Sequence, residues 1–256
     1  MALNHTPLPA EAEPPEAAVR ADVGELEDLL LEAVARLDED SVRAPSALPG
    51  WSRGHVVAHL TNLATAFTRQ AELAARGEVG EVYDGGPEGR DAGIEAAAPR
   101  SAEEHLAQLE AALVRLSASW PGEAAGWDAP VTYRSGTLRT ILDAWWREVA
   151  IHAVDLDAGI TAGAWSPALC DRLWEFLSER LPAGTAHVLE TDEVGAGRTA
   201  SHAPDTVRLV GARRDVLLWL AGRQPVVMPR ALTGRGEVPL PMLGPWPGRS
   251  SAQPSR

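Results

Sequence analysis

Apolar residues recur at helical spacing in several segments of the chain, with polar residues between them. In the segment DVGELEDLLLEAVARLDED the apolar residues fall three or four positions apart, which predicts a half-buried helix with an acidic, solvated face. Three further segments, which begin near Ser52, Ser101 and Thr137, follow the same rule. Four amphipathic helices within roughly 140 residues predict a helical bundle.

Two of these helices have recognisable start signals. Ser52 is a good N-cap, and Ser101 has Glu104 three residues later, which is the capping-box pattern. We therefore expect the second helix to run from Ser52 to about Arg76. The segment 77–100 is rich in Gly, Glu and Asp, so we expect a loop there before the third helix.

The pattern changes after Gly159. The segments SPALCDRLWEFLSERL and ARRDVLLWLAGR predict helices and DTVRLVG predicts a strand, whereas the tail from Pro225 is rich in proline and glycine without a clear period. We predict the α+β class, with a four-helix bundle followed by a small α/β domain. The predicted boundaries are a disordered leader over 1–18, the bundle over 19–160, the small α+β domain over 161–245 and a flexible tail over 246–256.

Charge and basic-residue usage exclude several classes of function. The 36 acidic and 23 basic residues give a net charge of −13 with no basic block, which argues against nucleic-acid or anionic-membrane partners. All 23 basic residues are arginines. Schiff-base enzymes, pyridoxal phosphate enzymes and the phosphate-binding GxxxxGK[ST] loop need a lysine, so these are excluded. A small-molecule substrate is the expected partner.

The single cysteine, Cys170, excludes an internal disulfide and a Cys-rich zinc module. It falls in the apolar register of its helix, so we expect a buried structural thiol. The first residues lack the basic start and apolar run of a signal peptide, and no apolar stretch reaches the length of a membrane span. We expect a soluble cytoplasmic protein and, by default, a monomer.

Candidate chemistry begins with two histidines four positions apart at the start of the second helix. His59 falls on the apolar stripe of that helix, between Val56 and Leu63, so it is expected to point into the bundle. His55 lies near the helix start and receives no role. Trp51, just before the helix, can pack back on its first turn.

The fourth helix carries Glu148 and His152, spaced i, i+4, on its apolar face. A carboxylate and an imidazole on a buried face are costly unless they are paired or bind a metal. Together with His59 they would make a site of two histidines and one carboxylate, which leaves positions open as in a catalytic divalent-metal site. A simple bridge from Glu148 to His152 or to an arginine explains the spacing equally well. Asp155, one turn beyond His152, either orients an imidazole or is a surface acid.

Three segments, LPGWSRGHVVAHL, REVAIHAVDL and DVLLWLAGR, resemble the mycothiol-dependent maleylpyruvate isomerase family in sequence and order, over about residues 20–225. The resemblance implies a DinB-like four-helix bundle and a C-terminal domain similar to sterol carrier proteins. It also implies that His59, Glu148 and His152 are the metal ligands. Arg223, after the LWLAG run, would reach the active site at the domain junction and act in catalysis.

The resemblance further implies a mechanism. A divalent metal, usually zinc, lowers the pKa of the thiol of mycothiol, the low-molecular-weight thiol of actinobacteria. The thiolate adds to an electron-poor double bond, the resulting single bond rotates, and elimination returns the trans isomer. Arg223 would hold a carboxylate or enolate oxygen. Two alternatives stay open: a mycothiol S-transferase that retains the adduct, and a metal- or ligand-binding module without catalysis. The physiological substrate is not determined by the sequence.

Overall fold

The computed structural model of the chain describes residues 16–191 and 205–247. The helices in these ranges are α1 Glu16–Ala35, α2 Glu39–Arg43, α3 Arg53–Ala75, α4 Gly86–Ala97, α5 Ala102–Ser119, α6 Leu138–Asp155, α7 Pro167–Leu177 and α8 Arg213–Leu220. The strands are β1 His187–Glu190, β2 Val207–Val210, β3 Arg230–Thr233 and β4 Gly236–Val238. This mostly helical fold with a small sheet confirms the predicted α+β class. Over the described ranges, no helix combines the length and the apolar character that crossing a bilayer requires.

The four long helices α1, α3, α5 and α6 pack against one another as a bundle. Each contributes fully buried residues to the common core, for example Leu30, Leu60, Leu109 and Trp145. Burying one such side chain contributes about 1.5–3 kcal/mol, so the apolar stripes hold the four helices together. The predicted bundle is confirmed, and its core fixes which face of each helix points inward.

The predicted N-cap at Ser52 and the predicted capping box at Ser101 are present, and Ser52 also forms a capping box with His55. The backbone N–H groups of His55 and Glu104 donate to the Ser52 and Ser101 hydroxyls, at 3.3 and 3.2 Å. Helix α1 begins at Glu16, so the last three residues of the predicted leader belong to this helix. The rest of that leader, and the predicted tail from residue 248, lie outside the described residues.

The prediction of a loop over 77–100 is wrong, because the segment contains α4. Glycines give it a poor helix propensity, but Ile94 and Ala97 are buried in a small cluster with Ala58 of α3. The approach is close at Gly54, where an added Cβ would lie 2.5 Å from the Ala98 carbonyl oxygen. Tertiary contact with α3 therefore overrides the weak local preference.

The C-terminal part is a four-stranded sheet of order β1-β2-β3-β4 packed with α7 and α8. Strands β1 and β2 are parallel and the other pairs are antiparallel. The strand β2 was predicted, whereas the β3–β4 hairpin lies in the tail that has no clear period. The buried Trp165 donates its indole N–H to the Ala150 carbonyl of α6 at 3.1 Å. The bundle and the C-terminal part thus share one hydrophobic core.

Candidate metal centre

The side chains of His59, Glu148 and His152 meet between helices α3 and α6. His59 Nε2 lies 3.1 Å from Glu148 Oε2, and His152 Nε2 lies 3.3 Å from the same oxygen. Each of the three residues offers one candidate ligand atom, and these three atoms lie within 4.8 Å of one another. The structure therefore brings together two imidazole nitrogens and one carboxylate oxygen from positions 89 residues apart in the chain.

Helix geometry explains this convergence. His59 occupies the inward stripe of α3, and its side chain is only 3% exposed. Glu148 and His152 are one turn apart on α6, and their side chains are 22% and 15% exposed. Solvent therefore reaches the group from the α6 side, while His59 lies at its buried end.

At His59 and Glu148 the electrostatics favour the protonation states that suit metal ligands. Burial, and next the charge of His152, lowers the pKa of His59 to about 4, so this imidazole is neutral at neutral pH. Burial opposes the ionisation of Glu148, but hydrogen bonds with His152 and His59 outweigh it and hold the pKa of Glu148 well below its usual range. A neutral imidazole and an ionised carboxylate are the forms that bind metals.

A buried carboxylate supports His152 from the opposite side. Asp155 is fully buried, and its Oδ2 lies 2.8 Å from His152 Nδ1. Burial disfavours the protonated form of His152, but the interactions with Asp155 and Glu148 outweigh it and raise the pKa of His152. The short distance favours a proton on Nδ1 and leaves Nε2 as the ligand atom, although the Nδ1 group is not aligned with Asp155 as in a regular hydrogen bond. Of the two alternatives for Asp155, the structure therefore supports the partner of an imidazole and not the surface acid.

Arg223 reaches this group through Asp155. Its Nε and Nη2 donate to Asp155 Oδ1 and Oδ2 at 2.9 and 2.6 Å, which is a two-pronged pairing. Burial opposes the ionisation of Asp155, but the hydrogen bonds from Arg223 and His152 outweigh it and lower the pKa of Asp155 to about 2. Arg223, which follows α8, thus connects the C-terminal part of the chain to the ligand group.

His55 belongs to the helix cap and not to the ligand group. Its Nδ1 lies 2.7 Å from the Ser52 hydroxyl oxygen, and its Nε2 lies 3.5 Å from the exposed Glu95. Its ring stacks on Trp51, which also contacts the His59 ring edge-on with centroids 5.8 Å apart. The two histidines of HVVAH lie on the same side of α3, but His55 is in the first turn and His59 is one turn further into the bundle. Their surroundings therefore differ.

Sequence reasoning missed Arg90, whose Nη2 lies 3.3 Å from His59 Nδ1. Arg90 also pairs with Asp91 at 2.7 Å. Arg90 belongs to α4, in the segment for which the sequence predicts a loop. The local sequence pattern therefore gives no sign that its side chain reaches the site. Its charge adds a positive group beside the buried imidazole of His59.

The donor set fits a divalent metal. Two imidazole nitrogens and one carboxylate oxygen are the ligands of three-residue catalytic sites, in which further positions remain for water or a substrate atom. The pairing of His152 with Asp155 is the usual outer support of a ligating imidazole. Such a group could hold a metal and activate a water or a thiol bound beside it.

Comparison with known proteins agrees with this architecture. Residues 23–157 match the family model described as the mycothiol maleylpyruvate isomerase N-terminal domain, which is more than half of the chain. No curated protein matches the chain at a significant level.

Two solved structures are similar over most of the chain. One is the crystal structure of a mycothiol-dependent maleylpyruvate isomerase, with a TM-score of 0.74, 26% identity, and coverage of 89% of this chain and 96% of that chain. The other is a histidine-to-alanine mutant of a mycothiol-dependent maleylpyruvate isomerase, with a TM-score of 0.73, 25% identity and the same coverage. The likeness therefore extends past the region of the family match into the C-terminal part.

Proposed function

Since the chain belongs to the mycothiol maleylpyruvate isomerase family, we propose that it is a metal- and mycothiol-dependent cis-trans isomerase of an electron-poor alkene such as maleylpyruvate. The observation that carries the proposal is the convergence of His59, Glu148 and His152 inside the bundle. The family and both similar structures are named for an enzyme that uses a thiol and a small-molecule substrate. They give no support to a binding module without catalysis.

We propose that these three residues hold a divalent metal, and that the metal is zinc, which favours nitrogen donors with a carboxylate. When bound, such a metal lowers the pKa of a thiol beside it, so that the sulfur of mycothiol can react as a thiolate. Asp155 keeps the His152 ring oriented, and Arg223 keeps Asp155 ionised and in place. Through this pairing both residues position His152.

In the proposed reaction the mycothiol sulfur adds to the double bond of the substrate, and the displaced electron pair moves onto the conjugated carbonyl oxygen. The former double bond is now a single bond and can rotate. Return of the electron pair re-forms the double bond and breaks the C–S bond, which expels the thiolate and leaves the trans isomer. The thiol is regenerated, so the net change is isomerisation alone.

Arg223 has donors left for the enolate oxygen. Two of its five N–H groups donate to Asp155 and a third donates to the Ala221 carbonyl oxygen at 2.6 Å. One N–H on each terminal nitrogen remains. We propose that these donors stabilise the negative oxygen that forms when the thiol adds.

The decisive test is incubation of the purified protein with mycothiol and maleylpyruvate, followed by NMR. We expect fumarylpyruvate to form while the thiol is recovered. A thioether that persists would instead favour the mycothiol S-transferase alternative, since both reactions begin with the same addition.

Matched histidine variants test the metal. His59→Ala should lose the bound metal and turnover, while His55→Ala, one turn earlier on α3, should keep both. The metal proposal is overturned if protein purified without chelator contains no stoichiometric divalent ion and His152→Ala turns over at the wild-type rate. The cytoplasmic location stays a prediction.

A further inference from the structure

Three arginine side chains meet two aromatic rings where the bundle contacts the C-terminal part of the chain. The guanidinium carbons of Arg147 and Arg134 lie 4.0 and 5.2 Å from the centroid of the Phe176 ring. The Arg180 guanidinium carbon lies 5.7 Å from the ring of Trp246, which contacts Phe176 edge-on at 5.8 Å. We call these five residues the arginine-aromatic cluster.

Arg147 is the most buried arginine of the cluster, with only 7% of its surface exposed. Of its five N–H donors, one has a hydrogen-bond partner among the described residues, the Asp143 carbonyl oxygen at 3.0 Å. That acceptor is a neutral backbone group of the preceding turn of α6. An arginine does not release its proton to escape burial. Among the described residues Arg147 is therefore a buried cation that forms no ion pair, although the charges of Glu148 and Asp143 also act on it.

The other two arginines are also held by backbone carbonyls. Arg134 donates to the Pro247 carbonyl oxygen at 2.8 Å, and Arg180 donates to the Gly244 carbonyl oxygen at 3.1 Å. Arg134 has a left-handed backbone, with φ 53° and ψ 24°, which is uncommon for a residue other than glycine.

The cluster therefore concentrates uncompensated positive charge. Over residues 16–191 and 205–247, none of Arg134, Arg147 and Arg180 forms an ion pair with a carboxylate, whereas the protein as a whole carries a net charge of −13. Cation–π contact with Phe176 and Trp246 offsets part of the desolvation cost. It supplies no opposite charge, so an anion is the missing component.

The cluster adjoins the candidate metal centre on two sides. Arg147 immediately precedes Glu148 on α6, and the guanidinium carbon of Arg223 lies 5.7 Å from the Trp246 ring. Burial raises the pKa of the Tyr133 phenol, on which the charges of Glu148, Arg134 and Arg147 also act. The cluster and the candidate metal centre are therefore neighbours in the fold, with Arg223 in contact with both.

We propose that the arginine-aromatic cluster, with Arg147 at its centre, binds a carboxylate of the substrate. This inference rests on the proposed function, because it names the part of the substrate that the cluster holds while the thiol reacts at the other end. A planar guanidinium matches a carboxylate with two parallel hydrogen bonds. The faces of Phe176 and Trp246 keep water away from that pairing and so strengthen it.

The test measures binding of maleate, a small cis-dicarboxylate, to the metal-loaded full chain by isothermal titration calorimetry. Replacing Arg147 with Gln should weaken maleate binding by about tenfold or more, because a charge-assisted pair is lost. Arg147→Lys should restore part of it. Arg139→Gln is the matched control, since Arg139 is an arginine of the same helix that pairs with Asp128 outside the cluster. The neutral maleamide should bind wild type and Arg147→Gln alike.

If Arg147→Gln does not fold, Arg134→Gln and Arg180→Gln carry the test, since both residues are more exposed. Each should weaken maleate binding about threefold or more. The inference is overturned if the folded variants bind maleate as tightly as wild type.

The outcomes separate this inference from the proposed function. If wild type shows no isomerisation but maleate binding still depends on Arg147, the proposed function is wrong and the carboxylate site stands. If wild type isomerises maleylpyruvate and Arg147→Gln keeps the wild-type KM, the carboxylate site is wrong and the function stands. If both hold, Arg147→Gln should raise KM for maleylpyruvate about tenfold or more, with bound metal unchanged.

Discussion

Arg147 and Glu148 are consecutive residues of α6, but they belong to two regions that differ in how buried charges are paired. Glu148 belongs to a group in which charges alternate, from His152 through Asp155 to Arg223. Arg147 belongs to the arginine-aromatic cluster, whose three arginines form no ion pair among the described residues. The first region is complete without a substrate and can hold its ligand atoms in place, whereas the second is completed only by an anion.

A third buried charge shows why the difference matters. Glu27 of α1 accepts a hydrogen bond from the Trp145 indole at 2.6 Å and has no cationic partner among the described residues. Burial raises its pKa to about 7, so this carboxyl can escape its charge by taking up a proton. An arginine has no such escape. A buried arginine without a carboxylate therefore indicates a ligand more strongly than a buried carboxyl does.

The largest effect should come from breaking the paired region at its centre. Glu148→Gln should lower turnover by about 1000-fold or more, because the carboxylate that binds the metal becomes a neutral amide. The bound metal content and the turnover with mycothiol should fall together. Glu95→Gln, an exposed glutamate near His55, is the control. Wild-type metal content in Glu148→Gln would contradict the assignment of this ligand.

Removing the support behind His152 should have the next largest effect. Asp155→Asn should weaken metal binding by about 10–100-fold. It should also lower the free energy of unfolding by about 3 kcal/mol, because Arg223 loses the charge of its buried partner. Urea unfolding and cobalt titration measure the two effects.

Asp157→Asn is the matched control for Asp155→Asn. Asp157 is exposed, pairs with Arg53 at 3.3 Å and has a positive φ that asparagine tolerates. Asp157→Asn should change neither the free energy of metal binding nor the free energy of unfolding by more than about 0.5 kcal/mol. If Asp155→Asn and Asp157→Asn had equal effects, the support that we assign to the buried Asp155 would be contradicted.

Glu27 predicts a pH dependence of stability whose sign follows from its raised pKa. Between the ordinary pKa of 4.5 and the folded value of about 7, the folded state binds more protons than the unfolded state. Stability therefore falls as pH rises through this window. Glu27→Gln should match wild type at about pH 4.5 and exceed it by about 2 kcal/mol at about pH 8. The exposed Glu25→Gln should follow wild type at both values, and an identical pH profile for Glu27→Gln would refute the prediction.

The smallest effect separates the two histidines of α3. His55→Ala should cost about 0.5–1 kcal/mol of stability, because the Ser52 N–H loses the partner that closes the capping box. Metal content should not change. Thermal unfolding together with metal analysis checks both, and a loss of metal would mean that His55 also belongs to the ligand group.

Much of this architecture was predictable because it is local. The caps at Ser52 and Ser101 and the inward face that carries His59 follow from neighbours within a turn or two. The spacing of Glu148 and His152 likewise predicted that they would share a face. For the same reason the four long helices and the strand β2 were predicted from short stretches of sequence.

The sequence by itself thus determined the helices, their starts and the side on which each candidate ligand lies, since the helical period depends only on the chain within a few residues. Only the tertiary structure decided that α4 forms and brings Arg90 to His59, and that Asp155 is buried between His152 and Arg223. It likewise decided that Arg147 lies over the Phe176 ring and forms no ion pair in the described part of the chain. Each of these contacts joins distant residues or different elements, so it depends on how helices and strands pack, which no local period specifies.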